Sequence, residues 1–298
     1  MLRRGFATQP RHVPIARAIF RPRYRHAMPP PYVVIASIPS PSVNGFDIGP
    51  LRVTFYGICI ALGVALAWSM LRRRYVTGGG DSATIERVVL WMVVIGFLGA
   101  RTGYVITHSA RFADEWWKVI AIWEGGLAFF GGLTAGAVTA VVLGRRWGAD
   151  LRLLTDAAAP AVPLAQAVGR WGNYFNQELF GTPTDLPWGL EIDPAHRPAE
   201  YSDAATFHPT FLYESIGNLI LVGVILWCER RFPPLRGRLL ALYLIGYGAL
   251  RFVMELLRTD TTFRFLGLSR NGWVSLLAVG VGIVVAVRLR PAHRPALN

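Results

Sequence analysis

The chain has 298 residues, of which 53% are hydrophobic and 16% are charged. An average soluble domain carries about 25% charged residues, so this composition points to a membrane protein. The formal net charge of +13 is typical either of nucleic-acid binding or of basic cytoplasmic loops between membrane spans. No zinc-finger spacing and no basic face with interleaved aromatic residues occurs, so we exclude nucleic acid as a partner. Cys59 and Cys228 lie in apolar runs, which disfavours a structural disulfide, and we expect neither a metal nor a cofactor.

Seven stretches are apolar over roughly the 20 residues that a bilayer crossing needs. They cover residues 52–71, 85–107, 126–143, 155–168, 209–228, 239–257 and 272–287. The fourth is short and is broken by Pro160 and Pro163, which makes it the weakest candidate for a full crossing. The sequence therefore predicts an all-α polytopic membrane protein with about seven transmembrane helices, within a transmembrane domain of residues 51–290.

Arginines follow the first, third, fifth and seventh stretches, at 72–74, 145–152, 230–238 and 288–294. By the positive-inside rule these regions face the cytoplasm, and the C-terminus with its tail 291–298 lies there too. The loops between them, which carry fewer basic residues for their length, face outward. In the longest of these, residues 182–207 are rich in Pro, Asp and Thr, and we expect them to form a small external head.

Residues 1–50 precede the first stretch as an N-terminal tail. Residues 1–27 contain seven arginines and no acidic residue, and such a segment resists translocation. It has no apolar core, so it is not a secretory signal peptide. We hypothesise that translation begins at Met28 or that residues 1–27 are a disordered tail, and the intact mass of the native protein tests the first of these.

A compact polar set stands at the outer edge of the fourth stretch, in "VGRWGNYFNQELFG", residues 168–181. Its polar members are Arg170, Asn173, Asn176, Gln177 and Glu178. Asn173 follows Arg170 by three residues, and Asn176 and Gln177 follow Asn173 by three and four. In a helix this spacing would put these side chains on one face, beside the carboxylate of Glu178. Glycines, Gly181 among them, allow close backbone approach. The alternative is a polar helix end that simply meets water, but five polar groups exceed what a helix end needs.

A second set lies in "GYGALRFVMELLR", where Tyr247, Arg251, Glu255 and Arg258 fall at i, i+4, i+8 and i+11 on one helical stripe. A charge in mid-span costs about 2.5–3.5 kcal/mol, so it is rare without a function or a partner. The alternative is an Arg251–Glu255 pair that only holds helices together. Arg251 and Arg170 are then two buried arginines, and such a pair favours an anion as its ligand. The anion at hand in a membrane is a phospholipid head group.

Polar residues elsewhere are more scattered. Arg101 and Tyr56 lie in the second and first spans, Asp156 opens the fourth, and His208 stands at the outer mouth of the fifth. Singly, each of these residue types is more often structural than functional. A lipid-handling site follows from the two arginine sets, while the lipid and the reaction do not.

The segment "GRWGNYFNQELFG" resembles the signature of bacterial prolipoprotein diacylglyceryl transferases. The similarity continues in "YG" at 56–57, "GFLGAR" at 96–101, "EGGLAFFGGL" at 124–133, "HPTFLYE" at 208–214 and "YGALRFVMELLR" at 247–258. It covers roughly residues 50–290, and seven spans with an outer N-terminus and an inner C-terminus agree with the family.

The resemblance implies transfer of a diacylglyceryl group from phosphatidylglycerol to the lipobox cysteine of a prolipoprotein signal peptide. A thioether forms and glycerol phosphate leaves, at the outer leaflet of the bacterial plasma membrane, as the first step of lipoprotein maturation. Membrane lipid and the signal peptide are then the partners. The expected catalytic residues are Arg170, Arg251, Tyr247, Glu178 and His208. The expected substrate-binding residues are Arg170, Arg251, Asn173, Gly181, Tyr56, Arg101, Asp156 and Glu255.

One departure from the family concerns the base. Many members carry a histidine, proposed to deprotonate the cysteine, where this chain has Phe130. Either His208, Glu178, Glu255 or Tyr247 replaces it, or no base is needed because a thiol near pKa 8.5 is already a few per cent ionised. Loss of activity is a further alternative. An anion or phospholipid transporter, disfavoured by the lack of internal repeats, and a silent lipid-binding scaffold are the competing functions.

Overall fold

The computed structural model describes residues 37–121, 125–232, 235, 237–259 and 264–289, so the predictions for residues 1–27 and 291–298 lie outside it. The described helices are α1 (Phe55–Thr77), α2 (Ser82–Thr107), α3 (Phe129–Arg146), α4 (Leu151–Phe175), α5 (Thr210–Arg231), α6 (Leu239–Leu257) and α7 (Arg270–Arg288). Short 3₁₀ helices lie at Ser109–Phe112, Trp116–Ile120, Pro194–His196 and Ala199–Tyr201. The strands form antiparallel hairpins: β1 (Gly45–Ile48) with β2 (Leu51–Thr54), β3 (Leu190–Glu191) with β4 (Thr206–Phe207), and β5 (Arg264–Phe265) with β6 (Leu268–Ser269).

The chain is mostly helical, and in the described part five of the seven helices are long and apolar enough to cross a membrane: α1, α2, α5, α6 and α7. The most apolar windows of α1 and α2 are each only 11% buried within the protein. Their apolar side chains therefore face outward, the reverse of a soluble protein, which confirms a polytopic membrane protein. Among the described helices, five rather than the predicted seven therefore qualify as spans by length and composition alone, because α3 and α4 are less apolar.

The fourth helix differs from its prediction. Rather than a short stretch broken by two prolines, α4 runs without interruption through Pro160 and Pro163 for 25 residues. Both prolines are buried, and alanines such as Ala157 and Ala161 surround them. Prolines are tolerated in helices where neighbouring helices satisfy the freed backbone groups. α4 is thus the central helix, and it is less apolar because its polar side chains face other helices.

Small residues set the helix pairing. α2 packs mainly on α3, α1 on α4, and α6 on α7, while α5 lies between α4 and α6. A Cβ added at Gly131 of α3 would lie 2.4 Å from the carbonyl oxygen of Gly99 of α2, and one at Gly63 of α1 would lie 2.9 Å from that of Ala165 of α4. Backbones approach this closely only where no side chain intervenes, which is the usual way that helices associate in membranes.

Residues 182–207 form a small folded segment over the ends of α4 and α5. Its strands β3 and β4 pair through Leu190 and Phe207, both of them buried. Ile38 adds a parallel bridge, donating to the Gly189 carbonyl and accepting from Glu191, each at 2.8 Å. Part of the predicted N-terminal tail is therefore ordered against this segment, and the predicted boundary at residue 51 falls inside the β1–β2 hairpin.

Candidate active site

A chain of alternating charges joins α4, α5 and α6. The Nη2 atom of Arg170 lies 2.5 Å from Oε2 of Glu214. Oε1 of Glu214 is 3.9 Å from Nη1 of Arg251, whose Nη2 is 2.7 Å from Oε2 of Glu255. The glutamate side chains are 2% and 6% exposed, and those of Arg170 and Arg251 are 18% and 12% exposed. The carboxylates are thus the more deeply buried partners, and the guanidinium groups lie nearer the surface.

A second branch starts from the same arginine. Nη1 of Arg170 donates to Oδ1 of Asn173 at 3.3 Å, and Nδ2 of Asn173 donates to Oε1 of Glu178 at 2.8 Å. The Asn173 side chain is therefore oriented between a cation and an anion. The spacing of these residues in the sequence predicted their proximity, and the structure brings the three together.

The turn after α4 aims Glu178 back at the helix. Gln177 and Leu179 have φ angles of 49° and 58°, a left-handed conformation that costs non-glycine residues about 1–2 kcal/mol each. The amide of Gln177 offsets this by a two-point contact with Asp193, donating to its carboxylate at 2.6 Å and accepting from its backbone N–H at 2.8 Å. The prediction that Gln177 lies on the same helical face as Arg170 and Asn173 is wrong. The chain reverses direction after α4, and this turns the Gln177 side chain toward residues 182–207.

Gly181 marks the point where the chain passes between α5 and α6. Its N–H donates to the His208 carbonyl at 2.9 Å, and the N–H of Thr182 donates to the Leu257 carbonyl at 2.7 Å. A Cβ on Gly181 would lie 2.7 Å from His208 Cβ and 3.0 Å from the Leu257 oxygen. Only glycine fits here without displacing the mouth of the site, so its contribution is the close approach of backbone.

Two predicted site residues are tyrosines of α1 and α6. The ring of Tyr56 packs on Gly172, where an added Cβ would lie 2.6 Å from Cδ2 of the ring, next to Asn173 in the chain. Tyr247 precedes Arg251 by one turn of α6 and stacks on Tyr243 with ring centroids 5.6 Å apart.

His208 lies just before α5, half-buried at the mouth. Its Nδ1 is 3.3 Å from the hydroxyl of Tyr213, which also accepts a hydrogen bond from Trp188 Nε1 at 2.9 Å. Burial lowers the pKa of His208, so the neutral imidazole is favoured. Phe130 packs edge-on against Phe129 in the first turn of α3.

Two predicted substrate ligands lie outside the cluster. Asp156 accepts from the backbone N–H of Gly237 and, at 3.0 Å, of Leu239 at the start of α6. It stands about 21 Å along α4 from Arg170, at 1.5 Å per residue. The guanidinium of Arg101 donates to five carbonyls of the loop before α3, those of Lys118, Val119, Ala121, Gly125 and Gly126.

The residue that links both arginines was not among the predicted site residues. Glu214 ends the segment "HPTFLYE" and is 2% exposed in an apolar helix. Burying a carboxylate at that depth costs free energy unless a cationic partner pairs with it. A glutamate within an apolar stretch was therefore the signal in the sequence that could have identified Glu214 as a site residue. The sequence alone did not indicate which arginine would face it, because that depends on how α5 sits between α4 and α6.

The fold and the site define the class of this protein: it is a polytopic membrane protein with a buried arginine–glutamate cluster among its helices. The profile of the prolipoprotein diacylglyceryl transferase family matches residues 44–288, and the chain belongs to this family, as the sequence motifs predicted. Phosphatidylglycerol–prolipoprotein diacylglyceryl transferase 2 of Streptomyces coelicolor is 47% identical over 267 residues, which are 89% of this chain and 84% of that protein.

Other curated relatives agree with this assignment. The phosphatidylglycerol–prolipoprotein diacylglyceryl transferase of Streptomyces griseus is 43% identical over 87% of this chain and 80% of its own length. The one of Cutibacterium acnes is 43% identical over 84% of this chain and 85% of its own. These relatives lend no support to a transporter.

Proposed function

We propose that the protein transfers the diacylglyceryl group of phosphatidylglycerol to the lipobox cysteine of prolipoproteins. Its relatives carry the name of this activity. Within the chain, the observation that supports it best is the Arg170–Glu214–Arg251–Glu255 series among the helices. Two guanidinium groups backed by buried carboxylates suit a phosphate that approaches from the membrane.

The reaction balances with no cofactor. The cysteine sulfur attacks a glyceryl carbon, a C–S bond forms, and the bond from that carbon to the phosphate oxygen breaks. The electron pair of that bond stays on the glycerol phosphate, and the thiol proton is released. Negative charge grows on the departing phosphate, so Arg170 and Arg251 stabilise the transition state by donating to it.

The other residues of the cluster orient these two arginines and shape the mouth. Asn173 and Glu178 hold Arg170 from one side, and Glu214 holds it from the other. Glu255 holds Arg251.

The remaining predicted site residues divide into two groups. Tyr56 and Tyr247 line the flanks of the site, and Gly181 keeps its mouth narrow. For Arg101 and Asp156 we propose structural roles, while their expected substrate-binding roles stay predictions. All five N–H groups of Arg101 have backbone acceptors, and the Asp156 carboxylate caps α6 about 21 Å away.

The cysteine ionises without a dedicated base in this proposal. Trp188 Nε1 donates to the Tyr213 hydroxyl, and in this proposal the Tyr213 proton is directed at Nδ1 of His208, so that the imidazole carries its own proton on Nε2. In this tautomer neither ring nitrogen is free to accept a proton. Phe130 cannot accept one either. The two arginines instead favour the thiolate, as cations generally do.

The proposed topology has seven crossings. α3 and α4 pair with α2 and α1, and their lengths of 18 and 25 residues correspond to about 27 and 37 Å. The odd-numbered helices carry arginines at or near their C-terminal ends: Arg72, Arg73, Arg74, Arg145, Arg146, Arg230, Arg231 and Arg288. This end faces the cytoplasm, together with the C-terminus. The cluster then lies toward the outer leaflet, and residues 182–207 form the external head.

The test is a transfer assay with purified protein, phosphatidylglycerol and a lipobox peptide. Mass spectrometry should detect a peptide heavier by one diacylglyceryl group and stable to mild base, as a thioether is, with glycerol phosphate released in equal amount. A peptide with serine in place of cysteine should stay unmodified. If the cysteine peptide also stays unmodified, or is modified without release of glycerol phosphate, the proposed reaction is wrong.

A further inference from the structure

The hydroxyl of Ser269 connects the charged cluster to the start of α7. Its Oγ donates to Oε1 of Glu255 at 2.5 Å and accepts from the backbone N–H of Gly272 at 2.9 Å. Ser269 is the N-cap of α7 and is 5% exposed. Its single hydroxyl proton is therefore used on Glu255, while its lone pair caps the helix.

The other oxygen of Glu255 holds Arg251. Oε2 of Glu255 lies 2.7 Å from Nη2 of Arg251, whereas Oε1 of Glu214 is 3.9 Å from Nη1 of the same arginine. The nearer carboxylate thus sets where the guanidinium stands. One ion pair and two hydrogen bonds thus connect Arg251 through Glu255 and Ser269 to the first turn of α7, whose N-terminal dipole favours a negative group nearby.

The surroundings give Glu255 room to move if this contact is lost. A cavity of about 20 Å³ lies between the end of α6 and the β5–β6 hairpin, lined by Glu255 and Ser269 among others. The serine hydroxyl is one of the contacts that orient the carboxylate, and its loss lets Glu255 shift toward this space and move Arg251 with it. A displacement of about 1 Å in a catalytic group can lower a rate about a hundredfold.

We infer that Ser269 is a positioning residue for Arg251 and acts through Glu255. This rests on the proposed function, in which Arg251 stabilises the departing phosphate. Since Arg251 acts in the transition state, loss of the serine hydroxyl lowers kcat more than it raises KM for phosphatidylglycerol.

Substitutions separate the cap from the contact with Glu255. Ser269→Gly keeps most of the capping, since glycine is a good N-cap, but it removes the hydroxyl proton. We expect kcat to fall about tenfold, the usual effect of one hydrogen bond to a charged group. Ser269→Thr retains the hydroxyl and should restore kcat. The matched control is Asp81→Gly, the same kind of cap substitution at the start of α2, and it should leave kcat unchanged.

A double-mutant cycle distinguishes positioning from a general structural effect. In a Glu255→Gln background, Ser269→Gly should lower kcat little further, because its effect passes through the glutamate. An equal loss in both backgrounds would overturn the inference. If Ser269→Gly does not fold, Ser269→Asp serves instead, since it caps α7 but has no proton to donate when ionised; wild-type kcat in that variant would also overturn it. Wild-type protein that forms no thioether contradicts the proposed function itself, whereas active wild type with an equally active Ser269→Gly contradicts this inference alone.

Discussion

Glu214 and Arg170 form an ion pair of 2.5 Å between α5 and α4, with the carboxylate 2% and the guanidinium side chain 18% exposed. A buried carboxylate costs several kcal/mol unless it is paired, so this pair fixes Arg170 from the protein side. The contact to Arg251 is longer, at 3.9 Å, which leaves that guanidinium less tightly bound to Glu214. An incoming phosphate can therefore approach both arginines from the side opposite the carboxylate.

The two arginines should each be essential for transfer. Arg170→Ala and Arg251→Ala should each lower turnover about a hundredfold or more, the usual effect of losing one donor to a developing anion. Lysine should rescue poorly, because a point charge replaces a planar fork. Turnover of the lipobox peptide, measured with membrane insertion verified, checks this.

The control for this prediction is an arginine near the C-terminal end of α1, the end that we place on the cytoplasmic side. Arg72 pairs with Glu86 at 2.7 Å, and both side chains are about half exposed. Arg72→Ala should retain turnover, since exposed ion pairs contribute about 0–1 kcal/mol to stability. Near wild-type turnover in either cluster variant would show that the arginine concerned does not handle the phosphate.

Replacing Glu214 should destabilise the protein. Glu214→Ala leaves two guanidinium groups without the carboxylate between them, and removing one partner of a buried ion pair costs on the order of 3–5 kcal/mol. The midpoint of thermal unfolding in detergent should drop clearly. Glu200→Ala, a glutamate of the 182–207 segment exposed to solvent, is the comparison and should leave it unchanged. Equal midpoints for the two variants would contradict a supporting role for Glu214.

The sequence predicted the helices and the family, while contacts between distant segments escaped it. Apolar stretches and arginine clusters are local patterns, and each indicates where one helix begins, ends and faces. The proximity of Arg170 and Asn173 was also predictable, because helical spacing puts both on one face of the same helix. The pairing of Arg170 with Glu214 depends on where α5 packs, which no local pattern encodes. Pro160 and Pro163 misled because the sequence shows the lost backbone donors but not the neighbouring helices that make them tolerable.

The joint between the N-terminal segment and the 182–207 segment should loosen in acid. Hydrogen bonds from Gln177 and Ser40 hold the pKa of Asp193 below its usual range. A depressed carboxyl pKa stabilises the fold above the unfolded-state value near 3.9, and this contribution is lost as pH falls through the folded-state pKa. The protection of the Ile38 amide, which bonds to Gly189, against hydrogen exchange should fall below about pH 4, measured relative to the rate of an unstructured amide at the same pH.

The same joint can be broken by mutation at neutral pH. Asp193→Ala removes the acceptor that Ser40 and Gln177 share, so exchange at the Ile38 amide should be faster than in wild type even at pH 7. Asp203→Ala, an exposed carboxylate in the same segment, is the control and should behave as wild type. If Asp193→Ala exchanges at the wild-type rate, the joint does not hold the N-terminal segment.

The pH dependence of transfer should reveal whether His208 acts as a base. Burial lowers the pKa of His208 below its ordinary value of about 6.5, so the neutral imidazole predominates between pH 6.5 and 8. In the base-free mechanism the rate rises with pH over this range until the bound cysteine is ionised, with one apparent pKa that belongs to the thiol.

His208→Gln, in which an amide can replace the contact to Tyr213, should keep that slope and most of the rate. A general base would contribute about 10²–10⁴-fold. A flat wild-type profile, together with a loss of that size in His208→Gln, would therefore identify His208 as the base in place of the histidine that Phe130 replaces.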